Sequence, residues 1–267
     1  MKTSLRSISP QRPRRVEPQE WPVLLISSGF AFGAVALAIF IRTWSDTLFL
    51  TYFRASQIPL FYIGSALLFA PTTMGYAWLS QRFNPIRLNT STLLLFSAIS
   101  LLCLQSLPSN IMLFGLLLVM SLISPLVNAI CWGLILERLN SRQSKRLIPL
   151  ISSSATIGAA VSGTLGAEVI EWGGNSALMT LICLTLLALT PLPTLLVEKS
   201  TLEKITKQIT ERDRPPKLFD GLKALGRNRL LKVSAIATFL MAIATNLIDY
   251  LFKVKLQATL PPDELGP

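Results

Sequence analysis

Two pairs of opposite charges stand at the ends of long apolar stretches. Arg42 and Asp46 are four residues apart, and so are Asp249 and Lys253. On a helix this spacing stacks the two side chains of each pair one turn apart on one face, where their charges neutralise each other. Ionisable groups at membrane depth are costly, so they pair or line a cavity. Two roles follow. The pairs are salt bridges that anchor a helix near the interface, or they line a central cavity as a substrate-binding site. In the second role Arg42 and Lys253 meet anionic groups, and Asp46 and Asp249 hold and orient those cations. Other ionisable candidates are Glu137, at the end of a fourth apolar stretch, and Glu168 and Glu171, near the end of a fifth, where they are wet. Arg142, Lys145 and Arg146 follow the fourth stretch; they set topology or attract phosphate.

Several chemistries are excluded. The chain has no His, so the commonest general base and metal ligand is missing and no Ser-His-Asp set can form. No GxxxxGK[ST] and no GxGxxG occurs, so no nucleotide-hydrolysis or dinucleotide fingerprint is present. Cys103, Cys131 and Cys183 lie singly inside apolar runs, without CxxC spacing. The expectation is no enzyme, no catalytic residue, no metal and no cofactor.

The elements that position these residues are hydrophobic helices. Of the 267 residues 51% are apolar and only 15% charged, with a mean hydropathy of +0.53. Soluble domains carry about 25% charged residues. A hydrocarbon core of about 30 Å takes roughly 20 apolar residues of helix. Seven such spans are expected, over 22–41, 57–80, 90–107, 110–136, 147–170, 175–197 and 230–252. The fold class is an all-α membrane protein. The organisation is a basic tail over 1–21, a six-helix bundle over 22–197, an amphipathic loop over 198–229, and a seventh helix in 230–267. Within that loop, Leu202, Ile205 and Ile209, then Leu218, Leu222 and Leu225, recur at helical spacing; they predict one or two helices lying at the interface.

The net charge of +11 comes from 25 Lys and Arg against 14 Asp and Glu. Nucleic acid is not the expected partner, because the cations sit in short loops beside apolar spans. The tail, the second-to-third, the fourth-to-fifth and the sixth-to-seventh connections carry five, two, four and ten of them, which is 21 of the 25. The other side has Arg42 and Arg54, and Lys253 and Lys255 at most. Positive loops stay inside, which places the N-terminus in the cytoplasm of a multi-pass protein of the cell membrane. The lipid bilayer is its first partner.

The fifth span is rich in small residues. Ser154, Gly158, Ser162 and Gly166 form one line, and Ala155, Ala159, Gly163 and Ala167 another. Such lines let helix backbones approach closely in lipid, for tight packing or for sliding. A weak repeat links the first and seventh spans: Asp46-Thr47-Leu48-Phe49 stands against Asp249-Tyr250-Leu251-Phe252, an offset that also sets Ala55 on Ala258 and Pro59 on Pro262. Parallel six-helix repeats build the major facilitator architecture, in which the first and seventh helices are equivalent. With Pro267 following soon after the seventh span, the expectation is a piece of a longer carrier: one six-helix bundle and the first helix of a second half.

The stretch from Arg42 through Ser45 and Asp46 to Phe49, followed by Ile58-Pro59-Leu60-Phe61-Tyr62, resembles the first-helix signature of the bacterial and plastid ATP:ADP antiporters. So does Cys131-Trp132-Gly133 with Ser144-Lys145-Arg146 and Pro149-Leu150. Asn228-Arg229 leading to Asp249 and Lys253 is similar to that family's seventh helix. The motifs cover most of 42–165 and 229–262. Ser45 stands where those proteins usually have Lys, another Lys is replaced near Tyr62 or Ile63, and Pro125 and Leu126 occupy a region that is commonly acidic there. The resemblance implies a twelve-helix, major-facilitator-like secondary transporter that exchanges nucleotides by alternating access, with a small anionic solute, ATP or ADP, as its partner. A carrier of an unrelated small solute and a non-transporting membrane anchor remain the alternatives.

Overall fold

The computed structural model describes residues 17–104, 110–196 and 228–259. The proposed amphipathic helices of the long loop and nearly all of the basic tail lie outside those residues. A short 3-10 turn over Pro18–Glu20 leads into α1, Trp21–Tyr52. A second turn, Ala55–Gln57, joins it to α2, Ile58–Arg82. Then follow α3, Pro85–Leu104; α4, Asn110–Arg138; α5, Ser141–Leu189; a short α6, Leu192–Leu196; and α7, Arg229–Thr259. No strand occurs among the described residues.

Five helical segments are long and apolar enough to cross a bilayer, and α3 adds a shorter apolar helix, Ile86–Leu102. The segment Ser141–Leu196 has 56 residues, far more than one crossing needs. Gly174 breaks it, with φ 63° and ψ −162°, a backbone region essentially reserved for glycine. The expected fifth and sixth spans are therefore the two limbs of α5, joined by a one-residue break rather than a loop.

Contacts to α1 show that the chain doubles back there. Arg146 pairs with Glu20, and Ser154 Oγ donates to the Ser28 carbonyl at 3.0 Å; both contacts are 126 residues apart in sequence. The same offset sets Gly158 on Phe32 and Gly166 on Phe40. A constant offset means parallel helices. They run side by side from residue 20 to 40, about 30 Å at helical rise, the thickness of a hydrocarbon core. Leu189 of the second limb then packs against Gly33, back at the level of Gly158. The first limb rises beside α1 and the second descends.

Small residues make this pairing close. A Cβ on Gly158 would lie 2.7 Å from the Phe32 carbonyl oxygen. Of the two small-residue lines, Gly158, Ser162 and Gly166 are buried, while Gly163 and Ala167 face outward. The core gathers around α1: Phe30 and Leu37 share one buried cluster with Leu93 of α3, Leu117, Met120 and Ile123 of α4, Ile151 of α5 and Leu178 and Met179 of its second limb. Large apolar side chains such as Ile111, Trp172 and Leu230 are fully exposed. That is a penalty in water and the expected surface in lipid.

Candidate functional site

The four sequence-selected residues meet. α1 positions Arg42 and Asp46 about two thirds of the way along its length. α7 brings Asp249 and Lys253 against them. Arg42 Nη2 donates to Asp249 Oδ1 at 2.5 Å, and Lys253 Nζ donates to Asp46 Oδ1 at 2.6 Å. Within the helices, Lys253 Nζ lies 2.8 Å from Asp249 Oδ2, and Arg42 Nε lies 3.8 Å from Asp46 Oδ2. The result is a closed ring of alternating charges with no net charge. Each cation touches both carboxylates.

The cross-helix bonds extend what the sequence implied. The i,i+4 pairs exist, but the inter-helix contacts are equally short or shorter. The repeat aligns Asp46 with Asp249. The contacts run one turn further, 207 residues apart in both cases, so each cation faces the other helix's carboxylate. Equal offsets show that α1 and α7 run parallel. An odd number of crossings lies between two parallel spanning helices, and α2, α3, α4 and the two limbs of α5 make five.

Tyr62, near the start of α2, completes the ring by donating its hydroxyl to Asp249 Oδ2. Its aromatic ring also lies 5.9 Å from Lys253 Nζ. In the sequence it stood out only as a departure from the antiporter pattern. Beyond the charges, Phe49 of α1, Phe53 just past its end, Phe61 of α2 and Phe114 of α4 form an aromatic cluster with centroids 5.2–6.4 Å apart. The cluster closes the end of the bundle remote from the N-terminus.

Exposure is uneven around the ring. The side chains of Asp249 and Lys253 are 16% and 10% exposed, those of Asp46 and Arg42 32% and 54%. The ring therefore has a sealed side on α7 and an open edge on α1. α7 itself is held at one end only. Asp249, Tyr250, Lys253, Val254 and Leu256 are covered to some degree, and the turn Ala55–Gln57 touches the helix, whereas nearly every residue from Arg229 to Ile248 is exposed. Much of the hold on α7 therefore falls to the ionic ring.

The remaining ionisable candidates lie elsewhere. Glu137, Glu168 and Glu171 are exposed and none joins the ring. Glu20, which the sequence did not single out, is buried and binds Arg146 Nη2 at 2.6 Å, clamping α1 to α5 at their N-terminal ends. A glutamate directly before Trp21-Pro22 reads as an ordinary polar flank, so only the packed structure reveals its partner.

The described residues form an all-helical, multi-pass membrane protein with a charged joint between two parallel helices. The chain matches the Major Facilitator Superfamily over residues 23–261, and it belongs to that superfamily of membrane transporters. No curated protein and no solved structure matches it.

Proposed function

We propose that the protein is a secondary transporter whose solute binds at the Arg42, Asp46, Asp249 and Lys253 ring. The carrying observation is the ring itself. Four charges are gathered at membrane depth where two helices meet, one edge is accessible, and the joint separates if those bonds break. Ion pairs in such a place mark substrate pathways. A solute with an anionic group competes with the aspartates for Arg42 and Lys253, and in doing so loosens α7 from α1. That couples binding to movement, as alternating access requires. The excess of cations in one set of loops supports an N-terminus on the cytoplasmic side of the cell membrane.

Exchange of ATP and ADP is a second reading, suggested by the likeness of residues 42–62, 131–150 and 228–253 to the nucleotide antiporters. One experiment addresses both levels. Proteoliposomes containing the protein are offered a 13C-labelled extract of small metabolites, and the accumulated solutes are identified by mass spectrometry. Accumulation of at least one solute with an anionic group, above that of empty liposomes, is expected. ADP among the accumulated solutes, competed by ATP, supports nucleotide exchange. No solute accumulated above empty liposomes refutes the carrier.

A further inference from the structure

We infer that the solute bound at this ring is zwitterionic, carrying one anionic and one cationic group on an uncharged, largely apolar body. The inference rests on the ring being the solute site. Three observations lead to it.

The first is how the ring's bonding capacity is distributed. Asp249 is the most heavily used: Oδ1 accepts from Arg42, and Oδ2 accepts from Tyr62 and faces Lys253. Lys253 is divided between Asp46 and Asp249 under the Tyr62 ring. Arg42 and Asp46 are not saturated. Their mutual contact, 3.8 Å, is too long for a hydrogen bond. Arg42 keeps N–H donors and Asp46 Oδ2 keeps its lone pairs, on the exposed edge. A donor cation and an acceptor carboxylate therefore stand side by side on the less covered side of the ring. A zwitterion satisfies both at once: its carboxylate takes the guanidinium, and its ammonium takes Asp46 Oδ2.

The second is charge balance. The ring is neutral, and leaving one buried charge unpaired is strongly unfavourable. A zwitterion leaves every charge paired. A polyanion puts several negative charges beside two cations that already hold two carboxylates.

The third is the wall leading to the ring. No charged residue occurs from Trp21 to Ile41 in α1, from Ile58 to Gln81 in α2, from Ile111 to Leu136 in α4, or from Val233 to Ile248 in α7. In line with Arg42 along α1, at successive turns, stand Ile39 and Val35, both partly exposed. On α7, at the 207-residue offset of the ring contacts, stand Ala242 and Phe239, with Asn246 nearest the ring, all exposed. These side chains receive an apolar body with few polar groups.

The test uses the full chain purified in detergent and tritiated L-leucine as probe. Competitors are two compounds that share leucine's body but carry one charge each, 4-methylpentanoate and 3-methylbutylamine, together with ATP. Leucine is expected to bind, and each single-charge analogue and ATP to compete at least about tenfold more weakly. R42Q and D46N should each weaken leucine at least about tenfold, the loss of one charge-assisted hydrogen bond. D46E, which keeps the charge, should recover part of it, and unchanged gel-filtration profiles confirm folding. Binding of 4-methylpentanoate or ATP as tight as leucine, and lost in R42Q, overturns the zwitterion while leaving the ring as the site. Leucine binding unaffected by R42Q and D46N removes the ring as the site. No leucine binding at millimolar concentration also overturns the zwitterion, and the extract uptake above then decides the carrier separately.

Discussion

Replacing Asp249 by Asn should release α7 from the bundle without unfolding the bundle. Asp249 accepts from Arg42 and Tyr62 and faces Lys253, and its loss changes the ring from neutral to a net charge of +1. Breaking a fully buried ion pair by removing one partner costs about 3–5 kcal/mol. Arg42 is half-exposed, so its share is discounted for screening, and about 2–4 kcal/mol is expected. On the docking equilibrium of α7 that is roughly a 30- to 1,000-fold shift. Because nearly all of 229–248 is exposed, little other packing opposes the release. Spin labels at Ser56, in the turn that touches α7, and at Thr259, near the helix end, report the separation by pulsed electron resonance in a background lacking the native cysteines. The wild type should give one narrow distance distribution and D249N a broad, longer one. The double variant D249N/K253M leaves Arg42 and Asp46 as a neutral pair, so it should be less perturbed than the sum of the two single variants. An unchanged distribution in D249N, or strictly additive effects in the double variant, would refute the reasoning.

Three further outcomes concern the bundle, read from the thermal exposure of the buried thiols Cys131 and Cys183 to a thiol-reactive dye. G158A should destabilise by about 1–3 kcal/mol, since its Cβ meets the Phe32 backbone oxygen at 2.7 Å, whereas G163A, with open space around it, should be neutral or slightly stabilising. E20Q should cost about 1.5–3 kcal/mol by removing a buried charge-assisted bond to Arg146, with R146M giving a similar loss. G174A should cost about 1–3 kcal/mol, because a side chain is strained at φ 63°, ψ −162°; an unchanged melting temperature would mean that the limbs of α5 turn some other way.

The spans and the ring's four charged residues were legible in the sequence because lipid imposes long uncharged runs. Against such runs a charge four residues from its opposite stands out. The partners of those charges were not legible. A helix pattern fixes neighbours within one element, as it does for Arg42 and Asp46, and says nothing about which turn of another helix lies opposite. Here that register came from packing, and it differs by one turn from the sequence repeat. Tyr62 and Glu20 were overlooked for the same reason, since each acts across elements. The fifth span shows the converse. Its small residues announced close packing, yet only the contacts to Ser28, Phe32 and Phe40 show which of the two lines is used. The break at Gly174 was placed between two expected spans, but a single glycine does the work of a loop.

The proposal that the ring is both the joint between α1 and α7 and the place where solute binds is tested most directly by reversing one bond. Proteoliposome uptake is measured for R42D, for D249R and for R42D/D249R. Each single reversal places like charges in contact and should abolish uptake; the pair restores opposite charges across the joint, so the Ser56–Thr259 distance should return towards the wild-type value while uptake stays low, because position 42 no longer offers the solute a cation. Uptake at the wild-type rate by either single reversal would contradict the account.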